Sequence, residues 1–248
     1  MPSLNRLVAA GLLAAAIAGS ATACASGGSG TTGSSALVGK SPDQIVQKSV
    51  ADLKAASSVR ITGKVVSSGQ NIALDLTDVA AQGCQGSIGL TASATSTSKA
   101  VSGTADILEA DSTVYMKLSE SFFTGAGLPA SEFSSVSGKY IKLASNSDLA
   151  SFAQLCDPST LSTAFSKQDT GFVKVGTATI NGQPALAFKQ PKNASNGTVY
   201  ISDTATPQIL RIAGPAGQGS IDFSDYNASA TITAPPASQV IDGSKFGL

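Results

Sequence analysis

Three cysteines, a Ser-X-X-Lys tetrad and a few spaced carboxylates are the groups in this chain whose types and spacing could do chemistry. A thiol can be alkylated, oxidised to a disulfide, cycled as a redox pair or bound to a metal. Cys24 follows Ala21-Thr22-Ala23 and precedes a run of small residues, Ala-Ser-Gly-Gly-Ser-Gly-Thr-Thr-Gly-Ser-Ser. Cys84 and Cys156 stand 72 positions apart, with no CxxC spacing and no further ligand to complete a thiolate metal site. The tetrad Ser96-Thr97-Ser98-Lys99 has the spacing of a serine nucleophile one helical turn from its lysine. It lies in a Ser/Thr-rich turn, without the Lys-Thr-Gly or Ser-Asp-Asn partners that such chemistry needs, and so reads as coincidence. The carboxylates Asp75 with Asp78, and Asp222 with Asp225, have acid/base spacing but read as solvation of strand ends. Histidine is absent from all 248 residues, which excludes Ser-His-Asp and Cys-His catalysis, histidine metal sites and a histidine pH switch. No catalytic residue, metal ligand or cofactor is assigned, and an enzyme is not expected.

The surroundings of Cys24 give that thiol a specific fate. Arg6 supplies a positive start, residues 7–19 form an apolar run too short to span a bilayer, and small residues close the segment. This arrangement resembles a bacterial lipoprotein signal, in which the cysteine is alkylated by diacylglycerol and becomes the first mature residue. The expected organisation is a signal peptide over 1–23, a lipidated Cys24 with a Gly/Ser-rich tether over 24–40, and one folded domain over 41–248. Two acyl chains hold a protein stably on a membrane, because each buried methylene contributes about 0.8 kcal/mol. The expected location is the outer face of the cytoplasmic membrane. In that oxidising setting the remaining even pair, Cys84 and Cys156, is expected to form a structural disulfide rather than a redox pair.

Composition sets the class. Hydrophobic residues make up 42% and charged residues 13%, so the chain has enough apolar surface to fold. The 16 basic and 16 acidic residues are scattered singly, which leaves no basic stripe for a phosphate backbone and excludes nucleic acid as a partner.

The elements that must position these groups follow from periodicity. Ser41-Pro42-Asp43-Gln44 has the form of a capping box with proline at the first helical position, and Ile45, Val46, Val50 and Leu53 then share one face. From Val59 the period becomes two. Alternating segments over 59–66, 72–77, 87–94, 100–108 and 113–118, with a short strand over 138–143, predict a first meander. Helical patterns over 148–155 and 158–167 form an insert that carries Cys156. A second meander follows over 173–180, 183–189, 198–202, 209–213 and 220–223, with a final segment over 226–233 and a loose tail. Its first hairpin turns on Asn181-Gly182, the sequence a type I′ turn favours. The predicted class is α+β: one large curved antiparallel sheet of about ten or eleven strands, covered by the leading helix and a mid-chain helical insert.

Several stretches carry a family likeness. These are Ile107-Leu108-Glu109-Ala110-Asp111-Ser112-Thr113-Val114-Tyr115-Met116-Lys117, Gly138-Lys139-Tyr140-Ile141-Lys142-Leu143, Asn181-Gly182-Gln183-Pro184-Ala185, and the paired late strands around Val199-Tyr200-Ile201-Ser202 and Ile209-Leu210-Arg211-Ile212. Together with the lipidated cysteine, tether and element order, they resemble the actinobacterial LppX/LprG-type lipoproteins of LolA-like fold, over residues 41 to 242. The resemblance implies a half-barrel whose concave apolar face, closed by helices, holds the acyl chains of a lipid or lipoprotein, and a lipid or lipoglycan is the expected class of ligand. By the period of two, Ile72, Leu74, Leu76, Ile88 and Leu90 point to one side of adjacent strands and are the candidate ligand-binding residues. The same residues could equally fill a packed interior. The alternative function is then a cell-envelope interaction or scaffold lipoprotein with no small-molecule cavity.

Overall fold

A computed structural model of the chain describes residues 37–67, 69–93, 100–158, 170–192 and 197–248. The expected signal peptide, Cys24 and most of the expected tether, the tetrad at 96–99 and nearly all of the helical pattern at 158–167 lie outside the described residues.

The capping box forms as the sequence predicts. Ser41 Oγ accepts a hydrogen bond from Gln44 N at 3.3 Å, and Gln44 Oε1 accepts one from Ser41 N at 2.9 Å. These bonds satisfy amide donors that a helix start leaves unpaired. The helix α1 runs Pro42–Ala55 and buries Ile45, Val46, Val50 and Leu53. The Asp43 carboxylate in its first turn accepts from Phe172 N at 2.8 Å and Gly171 N at 3.1 Å, tying the helix to the start of the second meander.

Among the described residues twelve strands make one sheet. The first meander comprises β1 (Ser58–Ser67), β2 (Gln70–Val79), β3 (Gly83–Ala92), β4 (Val101–Ala110), β5 (Thr113–Leu118) and β6 (Tyr140–Lys142). The second comprises β7 (Val173–Ile180), β8 (Gln183–Lys189), β9 (Thr198–Ser202), β10 (Ile209–Ala213) and β11 (Gly219–Ser224). Antiparallel pairing of β11 with β1 joins the two meanders, and the spatial order is β12-β6-β5-β4-β3-β2-β1-β11-β10-β9-β8-β7. The outermost strands do not pair with each other, so the sheet stays open. The α+β class and its nearly all-antiparallel sheet are as predicted. Asn181 and Gly182 take φ of 49° and 81° between the paired residues Ile180 and Gln183, the geometry of a type I′ turn.

The end of the chain departs from the expectation. Residues 226–233 form no strand. Asn227 N donates to Ser58 O at 2.9 Å, Ser58 Oγ donates to Ala228 O at 2.6 Å, and Ile232 N donates to Gln82 Oε1 at 3.1 Å. The segment thus lies over the outer face at one end of the first meander, where Ile232 packs with Val79, Leu108 and Ala110. Its apolar residues serve packing rather than a ladder. The tail instead supplies β12 (Val240–Asp242), parallel to β6, which brings the strand number to twelve.

Short helices roof one face of the first meander. The helix α2 (Glu120–Gly125) follows β5, and α3 (Phe133–Val136) follows it. Ser119 caps α2 by accepting from Phe122 N at 3.3 Å, and its Oγ also accepts from Thr104 N at 3.0 Å on β4. Gly103 makes this approach feasible, since a Cβ there would stand 2.5 Å from Phe122 N. The expected helix over 148–155 is a 3₁₀ run, Asp148–Cys156, capped by Ser147 and here called the strap. The Cys84–Cys156 disulfide, with S–S 2.04 Å and Cα–Cα 5.6 Å, fastens the end of the strap to β3.

Candidate functional site

The five candidate ligand-binding residues share the roofed face of the sheet. Across the strands that face consists of four rows. The first is Val65, Ile72, Leu90 and Gly103; the second is Gly63, Leu74, Ile88, Ala105 and Leu118; the third is Ile61, Leu76, Gly86, Ile107, Met116 and Ile141. Leu76 and Ile88 are fully buried, Ile72 and Leu74 nearly so, and Leu90 only half-buried. Six residues separate the first row from the fourth, about 20 Å at the strand rise. The apolar band is therefore continuous along the strands, with Leu90 in its first row only half-buried.

The roof is aromatic. Phe122 meets Phe152 of the strap edge-on at 6.1 Å between ring centres, and Phe123 meets Phe133 at 5.7 Å and Phe246 at 6.4 Å. Such edge contacts suit the ring quadrupole and place large apolar area against the strands.

The fourth row differs in kind. It reads Val59, Asp78, Cys84, Glu109 and Val114, so a carboxyl side chain flanks the disulfide cysteine on either side, on the roofed face. Burial raises the Asp78 pKa to about 6, with repulsion from Asp157 and Glu109 adding to it. Burial also raises Glu109 above its ordinary value, with Asp157 contributing. A cavity of about 420 Å³ sits here, bounded by Leu53 and Lys54 of α1, Asp78, Glu109, Cys156 and Asp157.

This arrangement corrects the reading of Asp75, Asp78 and Asp222 as strand-end solvation, whereas Asp225, exposed just past the end of β11, fits it. Asp75 and Asp78 differ by an odd number of positions, so they point to opposite faces and cannot work as a pair. Asp75 on the outer face pairs with Arg60 at 3.0 Å. Asp222 is held by the Arg211 guanidinium and by Asn181 Nδ2 at 3.3 Å, while Asp225 occupies a turn at φ 51°. A second cavity, about 620 Å³, lies on that outer face among Thr62, Lys64, Ser87, Thr104 and the paired Asp75 and Asp222. Asp78 continues the series Ile72, Leu74, Leu76, and Glu109 continues Ala105, Ile107, but the expected strands over 72–77 and 100–108 stop one residue short of each.

Among the described residues no group of three or more histidine, cysteine or acidic side chains is arranged to hold a metal ion, and no helix is long and apolar enough to cross a membrane.

The fold and site together define an open antiparallel sheet with one apolar face under short helices and a disulfide-anchored strap. LprF from Mycobacterium bovis has this fold: the two share 17% identity over 78% of this chain and 96% of that one, with a TM-score of 0.50. The family likeness drawn from the sequence therefore holds at the level of the fold. The protein CT021 from Chlamydia trachomatis aligns at 12% identity over 75% of this chain and 96% of that one, with a TM-score of 0.27, below what defines a common fold. No protein-family model matches the sequence. No curated protein is significantly similar to it.

Proposed function

We propose that this chain is a lipoprotein that binds or carries a lipid or another hydrophobic molecule against the roofed face of its sheet. The observation that carries the reading is the apolar band of three rows ending at half-buried Leu90, covered by helices of six and four residues and a 3₁₀ strap. Helices this short have little stability of their own and depend on what they pack against. A roof of such pieces can be repositioned over an acyl chain more readily than a second sheet could. Ile72, Leu74, Leu76, Ile88 and Leu90 form the floor of the site in this reading, and an acyl chain needs from them only a dry surface.

The fold shared with LprF supports the reading, as does the lipoprotein-like signal. In the proposal Cys24 carries the acyl anchor, and the domain stands at the outer face of the cytoplasmic membrane on its tether. A second reading, a scaffold lipoprotein without a ligand, draws on the complete burial of Leu76 and Ile88 under the roof.

The two differ in a binding experiment. Delipidated protein titrated with a pyrene-labelled fatty acid should show saturable emission that unlabelled phospholipid competes away, whereas a linear, uncompeted response would support the scaffold. The anchor is tested separately. Cys24→Ala is expected to move the protein out of carbonate-washed membranes into the soluble fraction or leave it unprocessed, and a variant that is processed and still retained in membranes like the parent would remove the lipoprotein assignment.

A further inference from the structure

We propose that the strap is a proton-dependent latch: it is seated when the carboxyls of Asp78 and Glu109, on either side of its anchor Cys84, are neutral, and loosened when they ionise. The geometry is specific. Asp78, Cys84 and Glu109 are direct register neighbours on β2, β3 and β4, and Cys84 is bonded to Cys156, whose next residue is Asp157. The strap therefore comes down where two carboxyls of the sheet and one of its own chain converge. Lys54 of α1 lines the same cavity and is the basic residue on the helix packed there.

Two further features make the strap the part that responds. It is a 3₁₀ run of nine residues, where such runs usually stop at three or four because their hydrogen bonds are poorly aligned. Its noncovalent hold includes Leu149 in the core and the edge contact of Phe152 with Phe122. Ala150, Ala153 and Leu155 also pack against the core, so the electrostatic change acts at the anchored end of a strap that is otherwise held by apolar contacts.

The sign follows from linkage. The seated state holds the Asp78 proton up to about pH 6, above the usual carboxylate range, so seating is fully favoured below that range and weakens as the pH rises through about 6. Glu109, raised in the same direction, adds to the effect. Because Asp78 is only half-buried, solvent screening limits the loss to on the order of tenfold in the seating equilibrium. Control of ligand access by this latch rests on the lipid-binding reading, but the latch is testable without any ligand.

The chain has no tryptophan, so Phe152→Trp places a single emitter on the strap. In full-length delipidated protein its acrylamide quenching should rise between pH 4.5 and 8 with a midpoint near 6. Adding Asp78→Asn and Glu109→Gln should keep it low throughout. A flat profile in the parent, or an unchanged rise in the triple variant, would overturn the latch. Should the tryptophan disturb the roof, hydrogen exchange in unsubstituted protein decides: exchange at strap amides divided by exchange at β8 and β9 amides in the same sample cancels the intrinsic pH dependence. A ratio that rises through pH 6 supports the latch and a constant ratio contradicts it. A latch that operates in a protein that never binds the acyl probe would leave this inference standing and remove the carrier reading alone.

Discussion

Replacing both Cys84 and Cys156 with serine is expected to cost about 2 to 4 kcal/mol of folding stability. The bond closes a loop of 72 residues that contains β4, β5, β6 and most of the roof, so its loss enlarges the unfolded ensemble substantially. It also removes the covalent hold on the strap just where the carboxyls crowd it. Urea titration of the paired variant should show a lower midpoint, with hydrogen exchange increased first at residues 148–157. An unchanged midpoint and unchanged exchange would mean that packing alone seats the strap. Pairing the substitutions avoids a lone buried thiol, which would confuse the comparison by forming mixed disulfides.

Leu90→Trp is expected to abolish binding of acyl ligands while leaving the domain folded. Leu90 is half-buried in the first row of the apolar band, beside Ile72 on one strand and Gly103 on the other, so an indole there takes up space on the proposed floor of the site. Ile88→Trp is the informative contrast. Ile88 is fully buried between Leu74 and Ala105, where overpacking costs about 1 to 3 kcal/mol. Thermal melts paired with the pyrene titration should therefore separate the two, with binding lost at position 90 and stability lost at position 88. A strong loss of stability at position 90 as well, in a protein that never binds the probe, would make the whole face ordinary core.

The elements with strong local signals were readable from the chain alone. Ser41 through Gln44 announced the start of α1 because cap and partner are three residues apart, and Asn181-Gly182 announced its hairpin because few other pairs accept two positive φ values. The beginning of β3 was not readable. Gly83-Cys84-Gln85-Gly86 has low strand propensity, and the expected strand began at Ser87; pairing with β2 and β4 extends it back to Gly83. Gly83 permits that extension, since it takes φ of 118° and any Cβ would collide with Glu109 O. Starting the strand late hid the row of Asp78, Cys84 and Glu109, and with it the charged end of an otherwise apolar face. The parallel strand β12 escaped for another reason. Val240–Asp242 is three residues long and owes its extended form to β6 rather than to any local pattern. The disulfide pairing, by contrast, followed from having only two cysteines left once Cys24 was assigned to lipid.

What remains decisive is whether the roofed face holds a hydrophobic guest in the protein as cells make it. Native mass spectrometry of full-length protein, extracted gently from membranes with no lipid added, addresses this directly when Leu90→Trp is prepared alongside. The unsubstituted protein is expected to carry noncovalent acyl species released on collisional activation, beyond the mass of the proposed covalent anchor, and Leu90→Trp is expected to carry none. Unsubstituted protein at its anchored mass alone, with no releasable guest, would contradict the carrier assignment and leave the scaffold reading in its place.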